Sequence, residues 1–456
     1  MLSPTVRLAR VFALALVLAG GLTALSAATD PALRDTVAKK VAADYASLET
    51  LYRDLHTHPE LSLMEERTAG VVARELRATG FEVTEKFGGG FGVVAVLKNG
   101  AGPTVLIRTD LDGLPVQEET GLPYASTARV QNLAGQEVPA IQACGHDIHM
   151  TCLVGTARIL AALRDRWSGT LVLVGQPAEE IGTGARAMLT AGLYQKFPKP
   201  DFALALHDSA TLPAGTVGTV EGFALANVDS VDITVRGVGG HGAWPHTTKD
   251  PIVLAARIVM ALQTIVSRET RPLDPAVVTV GSIHGGTKHN IIPDEVKLQL
   301  TLRSYTDAVR ENTIAAIRRI CRGEAIAAGL PDNLHPEVTL VSAQFTPATR
   351  NDPALTRRVH GAIVGALGAD RVRAVDPVMG GEDFSEFGRT ADKVPICLFW
   401  LGAVDPAKFA ESERTGAPLP SLHSSKFAPL PEPTIKTGIN AMTAAALGLL
   451  APKPLP

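Results

Sequence analysis

The sequence has few cysteines and no excess of charge of either sign, which excludes two large classes of protein. Four cysteines among 456 residues are too few for a disulfide scaffold. Lys and Arg total 43 against 46 Asp and Glu, so the chain lacks the broad basic surface that nucleic-acid binding usually needs. With 46% apolar and 20% charged residues, it can build a core of ordinary size. At about 150 residues per domain, the length predicts two or three domains, or one large domain with an insertion.

Three common catalytic signatures are also missing from the sequence. It contains no G-x-S-x-G nucleophile elbow, no H-E-x-x-H zinc motif and no G-x-x-x-x-G-K-[ST] phosphate loop. The segment Gly237–Gly242 fits G-x-G-x-x-G, but Trp244 and Pro245 follow it and do not open a helix. Because it also lies outside the first strand–helix unit of a doubly wound domain, it does not indicate dinucleotide binding.

The first 28 residues contain a dense apolar run. Arg7 and Arg10 precede an uncharged stretch that ends in the small residues Ser26, Ala27 and Ala28. A positive start, an apolar middle and a small-residue end are typical of a secretory signal peptide. We therefore expect residues 1–28 to be a signal peptide cleaved after Ala28, and the mature chain to be periplasmic or secreted. A single membrane anchor is the alternative interpretation, although the run is short for spanning about 30 Å of hydrocarbon.

Hydrophobic periodicity divides the remaining chain into two kinds of region. Apolar residues at helical spacing predict a long helix over Leu33–Leu55 and a second over about Glu65–Thr79. Short β-rich runs then alternate with helices, which predicts an α/β domain with a largely parallel central sheet. Residues 227–343 read strand, helix, strand, strand, helix, strand, the ferredoxin-like signature. The sequence thus predicts an α/β domain in two pieces, 29–226 and 344–456, around an inserted ferredoxin-like domain.

Acidic residues and a histidine follow several of the predicted strands. Five such residues stand at or just beyond a strand end: Asp110, Asp112, Glu179, Glu180 and His207. Ligand sites in open α/β sheets lie at the carboxyl ends of the strands, so parallel strands would bring these side chains to one edge. Taken alone, each cluster is equally compatible with solvated acids in a turn or on the surface.

Cys144 and His146 add a soft thiolate and an imidazole two positions apart, which is a good start for a transition-metal site. Together with the carboxylates, they could hold two divalent ions about 4 Å apart. A buried thiol and a disulfide in an oxidising compartment are the alternative fates of Cys144. His149 is open to interpretation as a surface residue, and His423, in a loop rich in Pro and Ser, is a weak candidate on its own.

Several longer strings, taken in order, resemble one family. RTDLDGLP, CGHDIH, QPAEE, LHD, GGHGAWPH, HNIIPDEV, GGEDF and LHSSKF are similar to the amidohydrolase branch of the co-catalytic-metal carboxypeptidase superfamily. Hippurate hydrolases, auxin-conjugate hydrolases and N-acetyl-diaminopimelate deacetylases belong to that branch. The match runs from about His58 to His423. The resemblance implies a mixed-sheet metallopeptidase-type catalytic domain, with the inserted domain serving as a lid and for dimerisation.

The resemblance also implies a site with two divalent metal ions, Zn, Mn, Co or Ni. Five side chains match the metal ligands of the family: Cys144, His146, Glu180, His207 and His423. Glu179 matches the general base, and Asp112 matches the acid that orients a ligand. Asp110 stands where the peptidase branches have a metal-binding histidine, so it is left out of the ligand set.

Three further residues, all in the inserted domain, resemble substrate-contacting groups of the family. His241 is similar to the donor that stabilises the tetrahedral oxyanion, and Asn290 and Arg303 are similar to residues that grip the substrate carboxylate. From the residues alone, His241 could equally be a turn residue among glycines and Arg303 could lie on a solvated strand face.

The expected function is therefore hydrolysis of the amide bond of N-acyl amino acids or related conjugates by a metal-activated water. A carboxypeptidase or aminopeptidase that acts on short peptides is the alternative within the same class. A catalytically inactive binding protein on the same fold would be expected to lack Glu179 or some of the ligands. The expected partner is a small molecule rather than nucleic acid or, after signal cleavage, a membrane, and a homodimer through the inserted domain is the favoured assembly.

Overall fold

The computed structural model describes residues 30–453, so the predicted signal peptide lies outside the described residues. The chain forms two compact units. The first contains the described residues up to Gly222 together with Arg350–Asp376 and the chain from Glu386 onwards, and the second contains Phe223–Thr349 and Pro377–Ser385.

The segment Pro377–Ser385 departs from the predicted division, which assigned all of residues 344–456 to the α/β domain. Within the second unit, Val378 N–H donates to Ala224 O at 3.0 Å and Ala226 N–H donates to Gly380 O at 2.9 Å. Hydrophobic periodicity carries no signal for backbone pairing between such distant segments, which is why the prediction missed it.

The helices and strands of the described residues have the following bounds. The helices are α1 (Pro31–Thr57), α2 (Glu66–Ala78), α3 (His146–Ala162), α4 (Gly184–Thr190), α5 (Leu193–Lys196), α6 (Pro251–Thr264), α7 (Asp307–Ala327), α8 (Pro353–Leu367), α9 (Ser385–Arg389), α10 (Pro406–Thr415) and α11 (Pro431–Leu447). The strands are β1 (Glu82–Phe87), β2 (Gly92–Lys98), β3 (Thr104–Asp110), β4 (Arg129–Gln131), β5 (Glu137–Pro139), β6 (Trp167–Ser168), β7 (Thr170–Gln176), β8 (Phe202–Pro213), β9 (Val217–Thr219), β10 (Gly222–Leu225), β11 (Asn227–Arg236), β12 (Gly240–His241), β13 (Ala276–Gly285), β14 (Ile291–Ile292), β15 (Glu295–Ser304), β16 (Glu337–Leu340), β17 (Thr349–Asn351), β18 (Val372–Ala374), β19 (Ile396–Val404) and β20 (Ala451–Pro452).

The first unit is built on an eight-stranded mixed sheet with the order β1-β2-β7-β3-β8-β19-β9-β18. The four central strands, β7, β3, β8 and β19, are parallel, whereas β1, β2 and β9 add antiparallel neighbours. The predicted mixed-sheet α/β class is confirmed, but a largely parallel sheet is correct only for its centre. Asp110 lies opposite Gln176 in the register of β3 and β7, so the carboxyl ends of these strands meet at one edge.

Helix α3 holds the start of the predicted metal motif in the core. It contacts α1 and α11 and lies against β3 and β8, and both its apolar residues, such as Ile148 and Leu153, and its polar residues His146 and His149 are buried. A helix buried nearly all round has little freedom to rotate or shift, because every face is packed. The residues at its N-terminus are therefore fixed against the sheet edge.

The second unit has the predicted β-α-β-β-α-β order. Its antiparallel sheet has the order β13-β15-β11-β16, and α6 and α7 cover it. Alternate residues such as Val231 and Ile233 of β11 and Leu298 of β15 are buried, as the period of two requires. Among the described residues, only Pro251–Glu269 is long and apolar enough to cross a membrane by length and composition, and its Ile258 packs in the core of this unit.

Candidate metal site

The eight candidate residues of the first unit come together at the edge of its sheet. The Sγ atom of Cys144 lies 3.5 Å from Nε2 of His207 and 3.3 Å from Nε2 of His423. Nε2 of His423 is 3.4 Å from Oε2 of Glu180, and Nε2 of His146 is 3.8 Å from Oε1 of Glu180. The convergence predicted from the strand ends is therefore present, and it includes His423 from a distant loop.

These distances fit bound metal ions. With metal–sulfur bonds of about 2.3 Å and metal–nitrogen bonds of about 2.1 Å, two ligands of one tetrahedral ion lie about 3.6 Å apart. Nε2 of His146 is buried and has no hydrogen-bond partner among the described residues, a state that buried polar atoms rarely adopt unless another group binds them. A set of one thiol, three imidazoles and a carboxylate suits Zn, Mn, Co or Ni better than it suits calcium, which prefers oxygen ligands only.

Asp112 organises this cluster through both its side chain and its main chain. Its carboxylate accepts hydrogen bonds from Ser62 Oγ at 2.6 Å, from Glu179 N at 3.1 Å and from Glu180 N at 3.0 Å. Its main-chain oxygen accepts from Nδ1 of His146 at 2.6 Å. The proton of that imidazole is thereby held on Nδ1, so the lone pair of Nε2 faces the cluster, as a metal ligand requires.

Asp110 is buried beside the cluster but is engaged elsewhere. Its carboxylate accepts from Nη1 of Arg108 and from Nδ1 of His149, both at 2.7 Å. Burial raises the pKa of Asp110, but the neighbouring His146, His149 and Arg108 outweigh burial and hold that pKa well below its usual range. In turn, Nε2 of His149 accepts from Asp208 N at 2.9 Å. Asp110 thus orients buried side chains beside the cluster, its Oδ2 also lies 3.7 Å from Nε2 of His146, and its omission from the ligand set stays a prediction.

The approach of Asp208 to Gly145 explains the glycine between the two motif residues. Gly145 has a φ of 74°, and a Cβ atom there would lie 2.0 Å from Oδ2 of Asp208. The main-chain oxygen of Asp208 also accepts from Nδ1 of His207 at 2.8 Å, which directs Nε2 of His207 towards Cys144. Any side chain at position 145 would displace the carboxylate that packs over it.

The electrostatic surroundings set the protonation of two candidate ligands. Burial and the charges of Glu180 and Glu179 raise the pKa of Cys144 well above its usual value, so the thiol stays protonated unless a cation displaces the proton. Burial lowers the pKa of His423, and so do His146 and His207, which favours the neutral imidazole that can bind metal.

Several polar residues that contact the site were given no role in it from the sequence. Ser62 contacts Asp112, Glu65 accepts a hydrogen bond from Ala178 N at 2.8 Å, and His149 is buried rather than on the surface. His149 could have been identified, because it lies three positions after His146 and therefore on the same helix face. Ser62 and Glu65 lie between two helices and carry no comparable local signal.

The remaining candidates lie in the second unit. His241 of β12 lies opposite Ile291 of β14, and Gly242 N donates to Asn290 O at 2.9 Å. Nδ1 of His241 accepts from Ala243 N at 3.0 Å, so a neutral His241 carries its proton on Nε2 and can donate it. Arg303 lies on another strand of this unit, β15, and is half-buried, which lowers its pKa from an already high value. The structure thus brings His241 close to Asn290, and the roles of all three residues stay predictions.

Comparison with known proteins supports the resemblance found in the motifs. The family model described as Peptidase family M20/M25/M40 matches residues 106–424. The N-acetyldiaminopimelate deacetylase of Leuconostoc citreum is 34% identical over 412 residues, which cover 90% of this chain and 98% of that protein. Thermostable carboxypeptidase 1 of Saccharolobus solfataricus is 36% identical over 404 residues, 88% of this chain and 93% of that protein.

A solved structure agrees with both relatives. The YXEP protein of Bacillus subtilis, described as a dinuclear metal binding peptidase from the M20 family, superposes with a TM-score of 0.71 and 28% identity. The alignment covers 90% of this chain and 99% of that chain. The family predicted from the sequence strings is confirmed.

Proposed function

Because the chain belongs to peptidase family M20/M25/M40, we propose that it is a metal-dependent hydrolase that releases a free amino acid from N-acyl amino acids or related conjugates. One observation carries this proposal: a thiol, three imidazoles and two carboxylates meet at the sheet edge with spacings that suit metal ions. The Leuconostoc relative, a deacetylase by name, matches nearly end to end, which favours an N-acyl substrate.

Two divalent ions would be held by five residues of the cluster: Cys144, His146, Glu180, His207 and His423. When bound, they supply a water of lowered pKa and polarise the amide carbonyl. Cys144 is close to both His207 and His423, so its sulfur would join both imidazoles in holding the metal.

Glu179 is the general base in this proposal. Its side chain is 9% exposed, and Oε2 lies 4.0 Å from Nε2 of His146, so its carboxylate lies at the edge of the cluster. It takes the proton of the attacking water and delivers it to the leaving amine. The bond from Glu179 N to Asp112 fixes the main chain from which this side chain extends.

The groups that would recognise the substrate are assigned by resemblance. His241 has an Nε2–H free to donate to an oxyanion, because Ala243 N occupies Nδ1. Arg303 offers a guanidinium for a carboxylate, and Asn290 offers an amide. With Glu179 and all five candidate ligands in place, an inactive binding protein is disfavoured.

A carboxypeptidase is the second candidate function, favoured by the 36% identity to the Saccharolobus carboxypeptidase. The two functions differ in the group on the carbonyl side of the scissile bond, a simple acyl group in one case and a peptidyl group in the other. They share the metal ions, the base and the free amino acid released.

Export and dimerisation are part of the same proposal. Residues 1–28 have the composition of a signal peptide, and N-terminal sequencing of the secreted protein should begin at Thr29. In the second unit, the edge strand β13 and the exposed Val253 and Met260 of α6 offer a surface for a second copy. Light scattering coupled to gel filtration should then give twice the mass of the chain, and Met260→Glu should reduce it.

A hydrolysis screen tests the proposed function. Chelated protein should be inactive, and addition of Zn²⁺, Mn²⁺, Co²⁺ or Ni²⁺ should restore hydrolysis of N-acetyl or N-benzoyl amino acids in preference to dipeptides. Preference for dipeptides would favour the carboxypeptidase instead. Full turnover by protein that elemental analysis shows to be metal-free would refute both.

A further inference from the structure

Glu65 is a fully buried carboxylate with no part in the proposed chemistry. It stands in the connection between α1 and α2, and none of its surface is exposed. Its Oε1 accepts two main-chain hydrogen bonds, from Leu63 N at 2.9 Å and from Ala178 N at 2.8 Å, and its Oε2 has no hydrogen-bond partner among the described residues. One carboxylate oxygen therefore joins two segments that lie far apart in sequence.

Both residues that donate to this oxygen have an unusual main-chain conformation. Leu63 has a φ of 67° and Ala178 a φ of 53°, in the left-handed region that residues with a Cβ atom rarely enter. Such a conformation costs about 1–2 kcal/mol and persists where surrounding contacts hold it. The shared bond to Glu65 is such a contact, and at Ala178 it acts on the residue directly before the general base.

Three successive amides of this loop are held by two buried carboxylates. Ala178 N donates to Glu65, and Glu179 N and Glu180 N donate to the two oxygens of Asp112. The main chain is therefore left-handed at Ala178, directly before Glu179, and its amides at Glu179 and Glu180 are fixed by hydrogen bonds to Asp112. Without the bond at Ala178, only the two hydrogen bonds to Asp112 would remain.

We propose that Glu65 is a positioning residue for Glu179, acting through the left-handed main chain of Ala178; this inference rests on the proposed function, in which Glu179 is the base. Loss of the acceptor at position 65 lets Ala178 relax towards an ordinary conformation and turns the Glu179 side chain away from its working direction. Glu180 keeps its own bond to Asp112, so metal binding is expected to survive. Misplacement of a catalytic group by about 1 Å can cost on the order of 100-fold in rate.

Glu60 provides a matched control in the same segment. Its carboxylate also accepts two main-chain hydrogen bonds, from Arg67 N at 3.2 Å and from Thr68 N at 2.7 Å, but both donors lie in α2 and neither belongs to the loop of Glu179. Methionine is similar in size to glutamate but has no carboxylate, so replacement of either glutamate by methionine removes the acceptor without removing the side chain. Only the change at position 65 removes the contact with Ala178.

The experiment compares Glu65→Met, Glu65→Gln and Glu60→Met in the metal-loaded enzyme. For Glu65→Met we expect kcat to fall about 10- to 100-fold with KM within about twofold and two metal ions retained. Glu65→Gln keeps an oxygen that can accept both amides, so it should retain most of kcat. Glu60→Met should lower the melting temperature but leave kcat near that of the wild type. A crystal structure of Glu65→Met should show Ala178 outside the left-handed region.

Specific outcomes would overturn this inference. One is a kcat of Glu65→Met within twofold of wild type. The others are a fall in kcat that is fully explained by lost metal, and an equal fall in kcat in Glu60→Met. Failure of the proposed function would appear separately, as a wild-type chain that hydrolyses no amide in the same assay. In that case the crystal structure decides, because an Ala178 that keeps its φ in Glu65→Met would still refute the role assigned to Glu65.

Discussion

The sulfur of Cys144 lies 3.3 Å from Nε2 of His423, although 279 positions separate the two residues in the chain. His423 is held there by a hydrogen bond from its own main-chain N–H to Ala143 O at 2.9 Å. The motif that begins with Cys144 and the loop that carries His423 are therefore locked together. This contact makes the thiol the centre of the candidate site.

Replacement of Cys144 should empty that centre. Cys144→Ala removes a ligand that lies close to two imidazoles, so we expect metal content to fall below one ion per chain and hydrolysis to fall by at least about 100-fold. Elemental analysis of the purified protein measures the first effect. Cys152→Ala is the control, since Cys152 is a buried thiol of α3 whose Sγ lies 3.8 Å from Ile435 O. Equal metal loss in both variants would contradict the assignment.

Glu179→Gln should separate metal binding from turnover. The amide cannot accept the proton of water, so kcat should fall by about 100- to 10,000-fold, the usual contribution of a general base. Because Glu180 and the other ligands are untouched, metal content should stay at the wild-type level. Steady-state kinetics with an N-acyl amino acid measures the loss, and activity near wild type would exclude Glu179 as the base.

Asp112→Asn should weaken metal binding indirectly, because Asp112 orients the ligands. The carboxylate accepts three hydrogen bonds through its two oxygens. The NH₂ group of an asparagine would therefore face another donor, such as Glu179 N. Loss of such an outer partner typically costs about 10- to 100-fold in metal affinity or activity. Ser62→Ala removes only one of the three donors and should cost less. Competition with a chelating indicator dye measures the affinity, and a larger effect for Ser62→Ala would argue against this role of Asp112.

Gly145→Ala should be far more damaging than an alanine at an unconstrained glycine. The new Cβ would lie 2.0 Å from Oδ2 of Asp208 at a φ of 74°, so we expect a loss of about 2–4 kcal/mol in the free energy of unfolding together with reduced metal content. Gly361 lies within α8, and a Cβ atom added there would meet no neighbouring atom within 4 Å, so Gly361→Ala should stabilise the protein by about 0.5–1 kcal/mol. Chemical denaturation compares the two variants.

Glu65 should also make stability depend on pH. Burial and the charge of Asp112 raise the pKa of Glu65 from 4.5 to about 7. The folded state therefore binds this proton more tightly than the unfolded state does, and the free energy of unfolding falls as pH rises from about 4.5 to about 7. At about 1.4 kcal/mol for each pKa unit, the contribution lost is about 3 kcal/mol. Glu65→Gln should remove this part of the pH dependence and Glu60→Gln should not, as denaturation at pH 5 and pH 8 would show.

Local pattern predicted the elements of the fold well, because each depends on neighbours in sequence. The helix expected over Leu33–Leu55 is α1, Pro31–Thr57, and the one expected over about Glu65–Thr79 is α2, Glu66–Ala78. Periodicity alone predicted a largely parallel sheet, since strand direction follows from connections that periodicity does not encode, whereas the family resemblance implied the mixed sheet.

For the site, residues that stand in short motifs could be named from the sequence, Asp112 among them, whereas Ser62 and Glu65 could not. The spacing of Cys144 and His146 indicates a metal motif, and the place of Glu179 after a strand indicates a site residue. Ser62 and Glu65 act on partners 50 and 113 positions away. Nothing in their own segment indicates those partners, because Ser62 and Glu65 reach the sheet edge only through the packing of α1 and α2 against the rest of the first unit.

The candidate ligands span the chain from Cys144 to His423, and this has a consequence for biosynthesis. A nascent chain carries four of the five ligands long before the last is made, and His423 is translated only after the whole of the second unit. The full set of donors can meet only once the C-terminal piece of the first unit has docked. Complete loading of the site therefore requires that the two pieces of the first unit have joined, and tight retention of both ions would report that they have.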